Sequence, residues 1–429
     1  MTFPRQSGIL LHPTSFPSKF GIGDLGKSAF DFVDFLVKAK QTLWQVLPLG
    51  QTGFGDSPYQ CFSAFAGNLY LISPEKLVED GFLSKKDLVD VPNFPTHKVE
   101  FGKVIEYKLP LLEKAFENFR RTNDEIIAEE FRAFCHENRF WLDDYALFRA
   151  IKFSQGQKSW QEWDIDLKLR QPEALAKARQ DLDLEDFAQK FYQFVFFRQW
   201  NAIKKYANER NIKIIGDVPI FIALDSCDVW CNPSQFKLNE DGSPRVVAGV
   251  PPDYFSKTGQ LWGNPIYIWD LMRNEGFRWW IERVRFTLKT VDIVRIDHFR
   301  GFAASWEVPG GDKTAERGEW VNVPGKDLFL TLRHILGNDL PILAEDLGVI
   351  TPDVEELRDG FGFPGMRILQ FAWGGDSKNI DLPHNYIQNS CVYTGTHDND
   401  TTVGWFNSKA GKGSGRDAKQ IKKETDFCK

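Results

Sequence analysis

Short apolar runs, several of them ending in acidic or polar groups, constrain this chain most. They are read at 44–49, 69–73, 212–222, 293–298, 342–346, 367–373 and 392–398. Short runs rich in Val, Ile and Leu, separated by helix-like segments, indicate a parallel sheet covered on both faces. Seven in one chain point to an α/β fold of the (β/α)8 barrel type, a TIM barrel, rather than an open sheet. The expectation is a single barrel domain over residues 1–429. A mostly helical insertion at 75–205 follows the second strand, with periodic apolar runs at 131–151 and 184–207. A second insertion at 224–270, rich in Pro, Gly, Asp and Trp, reads as loops over the active face. A closed barrel of this type has eight strands. The reading finds seven, so the last strand and helix are expected to be missing from this chain, leaving it marginally stable and weakly active or inactive.

Composition narrows the partners. The formal net charge is -6, with acidic and basic residues interspersed. No basic block tracks a phosphate backbone, which argues against nucleic acid. No stretch is long and apolar enough to span a membrane, and the N-terminus lacks the apolar core of a signal peptide. Six cysteines without a regular framework suggest a reduced, cytoplasmic protein. Cys227 and Cys231 form a C-x3-C pair with no further ligands at metal-site spacing, so both read as ordinary thiols. Aromatic residues make up 14% of the chain. Trp and Tyr beyond core needs suit a cleft that stacks on sugar rings.

Gly21, Gly23 and Gly26 match G-x-G-x-x-G. A dinucleotide fingerprint needs a strand leading directly into its glycines. Here two prolines and a long gap separate 9–11, a short candidate strand, from Gly21. The match reads as a loop before a helix, which leaves a nicotinamide-dependent oxidoreductase without support.

The chemistry lies at the strand ends. The third strand ends near Asp217, the fourth reads Val294-Arg295-Ile296-Asp297-His298, the fifth Leu343-Ala344-Glu345-Asp346, and the seventh Thr394-Gly395-Thr396-His397-Asp398. A barrel brings such ends to one mouth. Any single Asp there reads first as a helix N-cap. Four acidic strand ends together weaken that reading, because buried carboxylates are costly. Two carboxyl groups about 5–5.5 Å apart are what a retaining glycosidase needs, one as nucleophile and one as acid/base. Strand alternation puts Arg295 on the face of Asp297, where it would keep that carboxylate charged. Glu345 would need a raised pKa to act as an acid.

These four blocks resemble, in order, the signature regions of the alpha-amylase superfamily. Gly55-Asp56-Ser57-Pro58-Tyr59-Gln60, Trp141-Leu142-Asp143-Asp144-Tyr145, and the stretch from Gly249-Val250-Pro251-Pro252 to Gly263-Asn264-Pro265 resemble the amylomaltases, the 4-alpha-glucanotransferases of glycoside hydrolase family 77. The resemblance runs from about residue 5 to about 420. It implies a retaining transfer of α-1,4-glucan segments, with maltooligosaccharides and related glucans as substrates and no metal or organic cofactor. It implies Asp297 as nucleophile, Glu345 as acid/base and Asp398 as a carboxylate that holds sugar hydroxyls. It further implies substrate contacts at Tyr59, Ser57, Asp217, Tyr254, Gln260, Trp262, Asn264, Arg295, His298 and His397. On residue type alone Trp262 fits core and stacking equally, and the two histidines also fit a structural role. Carboxylates alone do not separate a transferase from a hydrolase, or from a sugar-binding protein without turnover. Long loops that screen the site from water favour transfer.

Overall fold

The computed structural model describes residues 3–252, 256–409 and 416–428. Eleven strands are present among them: β1 Gly8–Leu10, β2 Leu43–Gln45, β3 Lys213–Pro219, β4 Val246–Val250, β5 Gln260–Pro265, β6 Ile293–Asp297, β7 Ala304–Pro309, β8 Glu319–Asn322, β9 Ile342–Ala344, β10 Gly365–Ile368 and β11 Ser390–Tyr393. Five of them form a parallel sheet in the order β1-β2-β3-β6-β9, and β10 pairs in parallel with β11. The amide of Ala344 donates to the carbonyl of Pro364 at 2.9 Å, which joins the two groups. Tyr393, on β11, donates from its hydroxyl to the Gln45 side chain on β2 at 2.6 Å. A flat sheet would hold these strands far apart. This bond therefore shows the sheet rolled into a barrel.

Outside the roll, helices cover the strands. Trp44 of β2 is fully buried and meets Phe16, Phe32 and Trp200 at ring separations of 5.8, 5.4 and 5.9 Å. These contacts seat the helices Lys27–Lys38 and Asp183–Asn208 against the first strands. Helices dominate residues 74–208. Much of the phenylalanine content is used there: Phe116, Phe119, Phe131, Phe187 and Phe191 interlock, with Phe119 and Phe191 stacked at 4.7 Å. These phenylalanines belong to the core or pack against it.

The strands differ from the sequence reading in three places. Residues 69–73 are not a strand: Leu69–Leu71 is a 3-10 turn, started by the Asn68 side chain accepting from the Tyr70 amide at 3.0 Å. The first strand is instead Gly8–Leu10, paired with β2. The sixth strand is Gly365–Ile368, overlapping only the start of 367–373, and Leu369–Gly374 is 3-10 helix. The segment 224–270 is more regular than loops, since β4 and β5 join β7 and β8 in an antiparallel sheet of order β5-β4-β7-β8. Gly21, Gly23 and Gly26 lie in the connection before the helix Lys27–Lys38, and the Asp24 side chain accepts from the Gly26 amide at 2.9 Å. Among the described residues no helix is long and apolar enough to cross a membrane.

Candidate active site

Register places the site. Asp217 of β3 pairs with Arg295 of β6, and Pro219 with Asp297. Alternation then turns Arg295 and Asp297 to one face while Val294 and Ile296 go to the other. The Arg295 guanidinium is buried, and its Nη1 lies 2.7 Å from both Asp217 oxygens and 2.9 Å from Asp297 Oδ1. Burial opposes the positive charge, but Asp217, Asp297 and Glu345 outweigh it and hold Arg295 well above its ordinary value. One cation thus braces a buried carboxylate on one strand and a half-exposed one on its own.

Glu345 follows β9 and is 9% exposed. Its two oxygens accept backbone amides, His298 at 2.7 Å and Leu347 at 2.8 Å. Burial, and then the Asp297 charge, push its carboxyl up to about 7, against the pull of Arg295 and the two amides. His298 reaches this position with φ 55°, a left-handed conformation uncommon outside glycine. Its ring meets Trp262 edge-on at 4.7 Å, and burial pushes its pKa down to about 4, so the imidazole is neutral.

The opposite wall is Tyr59. Gly55 and Asp56 both adopt positive φ, and the Ser57 hydroxyl accepts from the Tyr59 amide at 3.3 Å. This turn delivers the Tyr59 hydroxyl to Asp217 at 2.8 Å and to His397 Nε2 at 3.0 Å, with the two rings stacked at 5.3 Å. Burial and the Asp217 charge raise the phenol pKa, so Tyr59 donates to Asp217. His397 Nε2 also lies 3.3 Å from Asp398 Oδ1. Arg295, Asp217, Tyr59, His397 and Asp398 therefore form one continuous chain of polar contacts.

Not every expected residue faces the same space. Asp398 is exposed, its side chain 75% accessible, so no burial cost marks it. Ser57 serves the turn. Asn264 is buried and acts as a strut, donating to the Ile222 carbonyl at 2.9 Å and accepting from Gln60 at 3.3 Å. Gln260 accepts from the Trp262 indole at 3.2 Å. Trp262 is neither core nor free surface: it is partly buried against His298. Tyr254 lies outside the described residues. The sequence reading passed over His12, which follows β1, is buried, and has a ring Nδ1 without a partner. Burial, followed by the nearby His397, lowers its pKa to about 3. The signal was present: His12 directly follows the candidate strand at 9–11.

A retaining site needs one charged and one protonated carboxyl on the same mouth. Here Asp297 is ion-paired to Arg295, and the Glu345 carboxyl is pushed toward neutrality. The family model described as 4-alpha-glucanotransferase matches residues 11–427. The chain belongs to the 4-alpha-glucanotransferase family. Among relatives in this family, the 4-alpha-glucanotransferase of Synechocystis sp. is 55% identical over 95% of this chain and 81% of its own length. That of Thermus thermophilus is 51% identical over the same shares. The solved amylomaltase from Streptococcus agalactiae, in complex with acarbose, superposes with a TM-score of 0.92 at 44% identity, covering 98% of this chain and 83% of that one. As a 4-alpha-glucanotransferase family member the chain is a glycosyl-transferring enzyme on a (β/α)8-type barrel.

Proposed function

We propose that this enzyme moves a segment of an α-1,4-glucan to the 4-hydroxyl of glucose or of another glucan by double displacement. Asp297 attacks the anomeric carbon and forms a glycosyl ester. Glu345 protonates the departing glycosidic oxygen, then takes the proton from the incoming 4-hydroxyl. Asp398 binds hydroxyls of the reacting sugar. Asp217, Arg295, His298, His397 and Tyr59 hold that ring, and Gln260 and Trp262 border it. Ser57 and Asn264 act through the Tyr59 turn, and Tyr254 is proposed as a further substrate contact. Maltooligosaccharides are the proposed substrates, by extension from the acarbose-bound amylomaltase. We read the compartment as cytoplasmic, since all six cysteines are free thiols.

The observation that carries this reading is the shared Arg295. It pairs with Asp297 at 2.9 Å while Glu345, close enough to feel the Asp297 charge, sits at about 7. An ion-paired carboxylate beside a carboxyl pushed toward neutrality is the division of labour that a nucleophile and an acid require. The test is the product ladder from maltotriose. Transfer gives glucose together with longer maltooligosaccharides. A ladder of shorter sugars alone would mean that water wins at the ester and that the chain is a hydrolase.

A further inference from the structure

Outside the cleft, one pair of nucleophilic side chains has no part in glucan transfer. The helix Cys227–Cys231 places its two thiols on one turn, with the sulfurs 3.5 Å apart. Four residues along a helix rise about 6 Å, which lies within the Cα separations a disulfide spans. Cys231 is partly exposed and Cys227 is buried. Arg170 Nη1 lies 3.1 Å from the Cys231 sulfur, while its Nη2 donates to Asp144 at 2.8 Å. The guanidinium also stacks on Trp230 at 4.2 Å. A fixed cation beside a reachable sulfur is the environment that reactive thiols share. Burial, and then Cys231 itself, push the Cys227 thiol well up.

The same helix holds the Tyr59 wall. The Cys227 amide donates to the Phe62 carbonyl at 2.8 Å, and the Asp228 side chain accepts from the Ala64 amide at 2.9 Å. The helix is thus hydrogen-bonded to the segment that directly follows Tyr59.

We propose that Cys227 and Cys231 form a reactive dithiol that takes small-molecule disulfides of the glutathione class, and that its closure displaces the Tyr59 segment. Cys231, after giving its proton to water, attacks one sulfur of the reagent as the thiolate; the S–S bond of the reagent breaks, a mixed disulfide forms, and the released thiolate takes up a proton from water. Cys227 then attacks the Cys231 sulfur and gives its proton to the second departing thiolate. The chain loses two electrons and two protons, and the reagent is reduced to two thiols. The thiol chemistry is independent of the glucan-transfer reading, and only the activity readout rests on it.

The experiment incubates the full chain with oxidised glutathione. Free thiols are counted, linkages are mapped by mass spectrometry, and maltotriose disproportionation is followed before oxidation, after it and after dithiothreitol. Two of the six thiols should disappear into a Cys227–Cys231 link, with activity falling several-fold and returning on reduction. Cys231→Ser should keep its basal activity and not respond, while Cys227→Ser should stop at a mixed disulfide on Cys231. Circular dichroism checks that both variants fold. An unchanged thiol count, or a Cys231→Ser variant inhibited as strongly as the parent, would overturn the dithiol. A mapped link without loss of activity would overturn its coupling to Tyr59. Absence of any activity in the reduced parent would count against the glucan-transfer reading instead, leaving the thiol result intact.

Discussion

The backbone amide of His298 donates to a carboxylate oxygen of Glu345 at 2.7 Å, so the turn that follows Asp297 also fixes the acid beside it. The contact crosses from the end of β6 to the end of β9, strands whose register pairs Ile296 with Ala344. Asp297 and Glu345 are thus set relative to each other by backbone, not by flexible side-chain reach.

The protonation of Glu345 sets the pH profile. Its carboxyl is raised to about 7, chiefly by burial. A general acid works only while protonated, so kcat/KM for a maltooligosaccharide donor should fall as pH rises through about 7. An activated donor whose leaving group needs no proton should lose this alkaline limb. A limb that persists with such a donor would detach it from Glu345.

Asp297→Asn keeps the shape of the side chain and its contact with Arg295 but cannot form the ester. Turnover should fall at least about 10³-fold, while maltotriose binding by calorimetry stays within a few-fold of the parent. Retained turnover would move the nucleophile elsewhere.

Tyr59→Phe removes one hydroxyl and keeps the ring stacked on His397. It deprives buried Asp217 of a donor at 2.8 Å. Loss of a buried hydrogen bond to a charged group costs about 1.5–3 kcal/mol, so kcat/KM should drop roughly 10- to 100-fold. Tyr59→Ala should drop further, by loss of the ring. Equal effects of the two would show that the hydroxyl alone matters.

Arg295→Met should be a folding defect as well as a catalytic one. It strips the cation from Asp217, whose side chain is fully buried. Breaking a buried pair from one side costs about 3–5 kcal/mol, and chemical denaturation should show that loss. The double variant Arg295→Met with Asp217→Leu should recover part of the stability and none of the activity.

Much of this site was legible because its residues sit where a strand ends, and the apolar run before each one is visible in the sequence. Asp217, Arg295, Asp297 and Glu345 were found that way. The run at 69–73 looked equally strand-like, but an apolar run carries no period that separates a buried 3-10 turn from a strand. Asn68 decided it through a side-chain bond to the Tyr70 amide. The short run at 9–11 is visible as a candidate strand, but only pairing with β2 makes Gly8–Leu10 the first strand of the barrel. Asp346 shows what position along a run leaves open. It ends the same run as Glu345, yet it points into structure, accepting from the Met366 amide at 2.6 Å and pairing with Arg358. Side-chain partners of that kind depend on tertiary placement, which spacing does not encode.

The Asp297 charge has a further consequence. It is the second cause that holds the Glu345 carboxyl up, after burial. On the roles proposed above, attack turns Asp297 into an ester and cancels that charge, while Arg295 stays where it is. Glu345 then feels the guanidinium and its two backbone amides without the opposing anion, and its affinity for a proton falls. The group that had to donate in the first half of the reaction becomes one inclined to release its proton and accept another from the incoming sugar. The alternation is timed by the reaction itself: each covalent step resets the electrostatics for the next, and no part of the protein has to move.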